Sequence, residues 1–127
     1  MEGTSVKAAL LEGYRVENRS RDLEWFADEP ESIGGTNTAP KPSELLLSAL
    51  TSCKLITMRM YAERKGWDVS GLKVDLQILE MGEKTIVSKK IIFPENLDEK
   101  QRERLTEISG RCPVAKMVKD SIEYVIS

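Results

Sequence analysis

Residues 42–66, PSELLLSALTSCKLITMRMYAERKG, decide the architecture. No proline or glycine interrupts the run between Pro42 and Gly66, and both ends carry helix punctuation. Proline suits a first helical turn, where its missing N–H has no intrahelical partner to lose. Ser43 and Glu44 then place a small polar group and a carboxylate near the positive helix end. Gly66 is the unhindered residue often found just past a last turn. At 1.5 Å per residue the helix to Lys65 is roughly 35 Å long, the longest element of the protein. Counted at about 100° per residue from Cys53, Leu45, Leu46, Ala49, Leu50, Ile56 and Met60 fall within about 80° on either side. Cys53 therefore centres the main apolar face. The back of the helix is partly apolar too, through Leu47, Leu55, Met58 and Ala62. Two oily sides predict a central helix packed on a sheet and also on a partner subunit.

Around this helix the chain alternates strands and turns. Val6–Asn18 reads as one strand, kinked or bulged near Gly13, followed by a polar hairpin turn at 18–22 and a second strand to Ala27. Asp28 to Pro42, with Pro30, Pro40 and Gly34-Gly35, is an ordered loop unable to continue helix or ladder. Leu72, Val74, Leu76 and Ile78 alternate with polar residues, as a half-buried antiparallel strand does. Gly82 turns the chain into a return strand, Thr85–Phe93. Asp98–Ser109 is a surface helix with Leu105 and Ile108 inward. Pro113 opens a short helix holding Val114, Met117, Val118 and Ile122, and Tyr124–Ile126 forms a last strand. The layout is α+β, with antiparallel strand pairs flanking a long helix, in a single domain over 1–127. Trp25, Phe26, Tyr61 and Trp67 read as core, and Lys89-Lys90 as a solvated strand edge.

Composition narrows the chemistry. With 127 residues, 40% of them hydrophobic and 31% charged, the chain buries a core without staples. Nineteen basic and 21 acidic residues leave a charge of −2, and no basic block argues for nucleic acid. The apolar runs are too short for a membrane span, and the first residues lack a signal-peptide pattern. A cytoplasmic location is therefore expected. The decisive count is that of histidine, which is 0. Triads, Cys–His pairs and imidazole zinc sites are excluded. General acid–base work falls to carboxylates, lysine, tyrosine or a thiol.

The thiols are Cys53 and Cys112, neither in a C-x-x-C motif. On spacing alone Cys53 looks like a small core hydrophobe. Cys112 lies between Gly110 and Pro113 at a helix N-cap, with Arg111 adjacent, which makes it the more acidic thiol on local physics.

Gly34-Gly35-Thr36-Asn37, the run Pro40-Lys41-Pro42-Ser43-Glu44-Leu45-Leu46-Leu47 to Ser52-Cys53, Tyr61-Ala62-Glu63-Arg64-Lys65-Gly66 and Arg111-Cys112-Pro113-Val114 together resemble the OsmC/Ohr family. The likeness covers nearly the whole chain in the same order, and is nearest to the branch whose helix starts P-x-E-L-L-L. It implies an intertwined α+β homodimer with two active sites at the subunit interface. It also implies thiol-dependent reduction of organic hydroperoxides, with no metal, flavin or haem. By that resemblance Cys53 is the peroxidatic thiol, oxidised to a sulfenic acid. Cys112 is the resolving thiol that closes a disulfide. Dihydrolipoyl groups or another dithiol restore the pair.

A buried thiolate needs a cation to offset its desolvation. The resemblance implies an arginine, oriented by a glutamate near the start of the cysteine helix. Arg15 is the best match, with Arg19 and Arg21 as alternatives; the plain reading of each is a solvated turn. Peroxidases of this family commonly carry the glutamate directly after the proline. Here Ser43 holds that place and Glu44 follows, about 100° further round the helix. The plain reading of Glu44 is a favourable charge at a helix N-terminus. Two other readings stay open, a dimeric small-molecule binder and a redox sensor that passes its disulfide state to a partner.

Overall fold

The computed structural model describes residues 4–120 and 122–126. The chain divides into two compact units, Met1–Leu46 and Leu47–Ser127, each taken by itself below.

The first unit carries strands β1 (Lys7–Leu10), β2 (Val16–Ser20) and β3 (Leu23–Ala27), antiparallel in the order β1-β2-β3. The expectation of one kinked strand over Val6–Asn18 is thus corrected to two strands. Gly13 sits at φ +64, which side chains resist, and so permits a full reversal rather than a bulge. Leu11 N donates to Arg15 O at 2.8 Å and closes that turn. The second reversal is where the polar cluster predicted it: Ser20 pairs with Leu23, and Arg21 takes φ 55 between them.

The 28–42 loop is built around one buried carboxylate. Asp28 is 2% exposed and accepts hydrogen bonds from the backbone N–H groups of Glu29, Thr36 and Thr38 and from both threonine hydroxyls. A single 3₁₀ turn, Glu31–Ile33, interrupts the loop. Gly35 is required by space, since a Cβ there would stand 1.9 Å from the carbonyl oxygen of Glu29. The Gly34-Gly35-Thr36-Asn37 motif therefore folds back onto Asp28-Glu29. These donors hold the Asp28 carboxyl far below the usual carboxylate range, the Thr36 hydroxyl foremost.

Most of helix α1 (Pro42–Lys65) belongs to the second unit, together with β4 (Lys73–Met81), β5 (Thr85–Ile92), α2 (Glu99–Ser109) and α3 (Pro113–Lys119). β4 and β5 form an antiparallel hairpin whose register shifts between Ile78 and Glu80. Asp98 caps α2 reciprocally: its carboxylate accepts from Gln101 N, and the Gln101 side chain accepts from Asp98 N, both at 2.8 Å. The core joins Met58 and Ala62 of α1 to Val69, Leu97, Leu105 and Ile108, with Leu72, Val74, Ile91 and Phe93 packed on it. Tyr61 meets Trp67 edge to face at 5.7 Å.

Two further expectations are corrected here. The short C-terminal helix ends at Lys119, so Ile122 lies outside it. Tyr124–Ile126 is not a strand; its side chains are 82–89% exposed, and no strand edge pairs with them among the described residues. The structure also decides what periodicity left open: the face of α1 that meets the core is the stripe Lys54, Met58 and Ala62. The face centred on Cys53 is the open one within this chain, with Ile56 and Met60 55% and 56% exposed. Periodicity reports that a side is oily. It does not report which of two oily sides a hairpin and a second helix cover. Among the described residues, no helix is long and apolar enough to cross a membrane.

Candidate functional site

Cys53 and Lys54 are neighbours on α1, so their side chains leave the helix about 100° apart. That angle sends them into different surroundings. Cys53 is half-buried, while Lys54 turns onto the core stripe and is 8% exposed. A lysine at that depth needs partners for its ammonium. It donates to the carbonyl oxygen of Ser109 at 3.2 Å and to Cys112 Sγ at 3.7 Å.

Both partners come from the junction of α2 and α3. Ser109 closes α2, where the last carbonyls lack intrahelical donors and favour a cation. Cys112 is the N-cap residue of α3, held by Pro113 at the first helical position, and is fully buried. Its side chain makes no capping hydrogen bond, so the sulfur is available to Lys54. A second lysine completes the cluster: Lys89 of β5 donates from Nζ to Ser109 Oγ at 3.1 Å, and that hydroxyl donates to Thr106 O at 2.6 Å. Burial, and then repulsion by Lys54, push the Lys89 amine below its ordinary value, while Cys112 pulls the other way. Lys89 and Lys90 are both exposed, as a solvated strand edge requires, and the Lys89 amine reaches from that edge to Ser109.

Both cysteines are free thiols. The cation beside Cys112 is Lys54, whereas adjacency in sequence had pointed to Arg111. Arg111 is exposed and borders an open cleft of about 280 Å³ lined by Thr57, Met60, Tyr61, Arg64 and Ile108. Neither thiol borders that cleft. Lys54 escaped the sequence reading. Its signal was a charged residue in register with Met58 and Ala62, a stripe on which a charge needs a buried partner.

Arg15 and Glu44 lie in the first unit. The Arg15 guanidinium stacks on the Phe26 ring at 4.3 Å and donates to Thr38 Oγ1 at 2.8 Å. Glu44 accepts from Lys41 N at 3.0 Å, the reach-back bond of a helix start. Among the described residues no ion pair joins Arg15 to Glu44. Arg19 is bound by Glu17 and Glu24 at 2.7 and 2.9 Å, and Arg21 occupies the β2–β3 turn.

Comparison with known proteins identifies the fold and the family. No curated protein sequence gives a significant match. Among solved structures, an osmotic stress induced and detoxification response protein of Psychrobacter arcticus 273-4, so described provisionally, is similar at a TM-score of 0.78 and 24% identity, over 91% of this chain and 89% of that one. A hypothetical protein from Aquifex aeolicus VF5 is similar at 0.75 and 25% identity, over 95% and 90%. The organic hydroperoxide resistance protein OsmC of Legionella pneumophila is similar at 0.63 and 18%, over 91% and 88%. These likenesses match the mixed α+β fold of antiparallel strands and three helices. A model of the OsmC-like protein family matches residues 35–127, spanning the Gly35 loop, the cysteine helix and the Cys112 junction, and the chain belongs to that family.

Proposed function

We propose that this chain is a thiol-dependent peroxidase that reduces organic hydroperoxides. The observation that carries the reading is a pair of free thiols on an OsmC-like fold, one half-buried and one sealed beside a buried lysine. The name of the Legionella relative, an organic hydroperoxide resistance protein, supports the substrate class.

In this reading the Cys53 thiolate attacks the terminal oxygen of ROOH. The O–O bond breaks, ROH leaves after protonation, and Cys53 becomes a sulfenic acid. Cys112 then attacks that sulfur and water departs, leaving a Cys53–Cys112 disulfide. A small dithiol, a dihydrolipoyl group among the candidates, takes over the disulfide and returns both thiols. Arg15 is the proposed cation for Cys53, supported by its half-buried place on Phe26, whereas Arg19 already has two carboxylate partners. Glu44 is its proposed orienting partner. The functional unit in this proposal is a homodimer acting as one domain per chain, in a reducing compartment such as the cytoplasm. The open apolar residues Ile56, Met60, Tyr124, Val125 and Ile126 support the dimer.

Consumption of cumene or tert-butyl hydroperoxide with a dithiol tests this. Turnover is expected with the unaltered protein and not with Cys53→Ser; equal turnover in both overturns the reading. One observation favours a second reading. With Glu44 committed to its own helix start and Arg15 to Thr38, the Arg–Glu relay is open, as suits a dimeric binder or redox sensor with slow or no turnover. Mass spectrometry after mild peroxide separates the two. A Cys53–Cys112 bond with rapid cycling supports the enzyme, and a retained apolar ligand on unmodified thiols supports the binder.

A further inference from the structure

The proposed chemistry assigns no task to Lys54, which is 8% exposed, or to Lys89 beside it. We propose that Lys54 is a positioning residue that holds Cys112 as a thiolate and makes Cys112 the sulfur that leaves when the Cys53–Cys112 disulfide is reduced. The second half of this inference rests on the peroxidase reading; the first half does not.

The groups facing Cys112 come from three elements. α1 contributes the Lys54 ammonium at 3.7 Å, α2 the Ser109 carbonyl that shares Lys54, and β5 the Lys89 amine that reaches Ser109 Oγ. Among the described residues no carboxylate forms an ion pair with either lysine. Among the described residues the sulfur of Cys112 is therefore the one acidic group in hydrogen-bond reach of the buried Lys54 as a countercharge. Burial alone would favour the neutral thiol. A buried ammonium beside it reverses that preference, because the alternative leaves the lysine charge uncompensated at depth.

The consequence for the disulfide is directional. A thiol of lower pKa is the better leaving group in exchange. Access points the same way, since Cys112 is 0% exposed and Cys53 is half-buried. A thiolate of the incoming dithiol bonds to Cys53 Sγ, and the Cys53–Cys112 bond breaks with its electron pair on Cys112 Sγ beside Lys54. The second thiol of the dithiol then displaces Cys53 Sγ. The dithiol leaves as a disulfide, and both protein thiols are reduced.

The test separates the two halves. In a Cys53→Ser background Cys112 is the only thiol, and its thiolate absorbance near 240 nm is followed against pH. Adding Lys54→Met is expected to raise the midpoint by about one unit or more, and Lys54→Arg to restore most of the difference. An unchanged midpoint overturns the assignment. Should the Met variant not fold, the Cβ chemical shift of Cys112 in cysteine-labelled unaltered protein reads the same property. A thiolate signature near pH 7 is expected, and a neutral thiol persisting to about pH 9 overturns the proposal. For the second half, the oxidised protein is challenged with a monothiol. A mixed disulfide is expected on Cys53, with release slowed roughly three- to tenfold by Lys54→Met; a mixed disulfide on Cys112 overturns it. If peroxide forms no disulfide, the peroxidase reading fails while the titration still decides the Lys54 pair.

Discussion

Two sulfurs on one small chain occupy opposite kinds of site. Cys53 stands mid-helix on the α1 face that this chain leaves largely open, and among the described residues of its own unit no hydrogen bond reaches its sulfur. Cys112 is sealed where α2 meets α3, with a lysine ammonium against it and a second lysine one hydroxyl away. Access and charge, the two ingredients of a reactive thiol, are thus divided between them. The proposed cycle uses the division: the accessible sulfur meets peroxide and reductant, and the charge-supported one attacks and departs.

The sharpest way to break this contrast is Cys53→Ser. Peroxide consumption is expected to fall by about a hundredfold or more, because a hydroxyl is a far weaker nucleophile than a thiolate. Steady turnover after that change would move the peroxidatic role elsewhere. Next in size is Met58→Ala, one turn along the stripe that carries Lys54. Emptying a fully buried position is expected to cost about 2–5 kcal/mol in denaturant unfolding. It should also raise the alkylation rate of Cys112 toward that of Cys53, as the shared core loosens. A loss under about 1 kcal/mol would mean that this core is more tolerant than its packing implies. Without any mutation, iodoacetamide is expected to label Cys53 about tenfold or more faster than Cys112 in native protein, with equal rates in denaturant. Peptide mass mapping checks it, and faster labelling of Cys112 would invert the comparison.

The smallest expected effect sharpens the contrast from outside it. Asp28 is a buried carboxylate held by uncharged donors, whereas Cys112 stands against the Lys54 ammonium. Its carboxyl lies below the unfolded value, so the unfolded state takes up a proton first as pH falls. The stability it contributes is whole above about pH 4 and drains away in stronger acid, down through the depressed folded value. Asp28→Asn should lower Tm by several degrees at neutral pH and flatten that acid dependence. An unaltered acid profile would show that Asp28 contributes nothing through its charge.

Much of this was legible in the residues. Helix α1 begins and ends where Pro42 and Gly66 punctuate it, and α2 begins after Asp98 and stops before Gly110, because caps act within one turn and are written locally. The β4–β5 hairpin followed from alternation. The split of the first strand was hidden because a glycine tolerates a kink and a reversal equally well; only the +64° torsion and the Leu11–Arg15 bond choose. The C-terminal strand failed for the converse reason. An apolar run marks surface that wants cover, and Tyr124–Ile126 finds none among the described residues of its own chain.

By itself the sequence determined the long helix, the β4–β5 hairpin, the two thiols, the missing imidazole and the family, since all are properties of local order and residue identity. Only the tertiary structure decided which side of α1 is buried and which cation stands by which sulfur. Lys54 lies next to Cys53 in the chain and against Cys112 in space, because 100° of helix turns one side chain away from its neighbour and into a core assembled by distant segments.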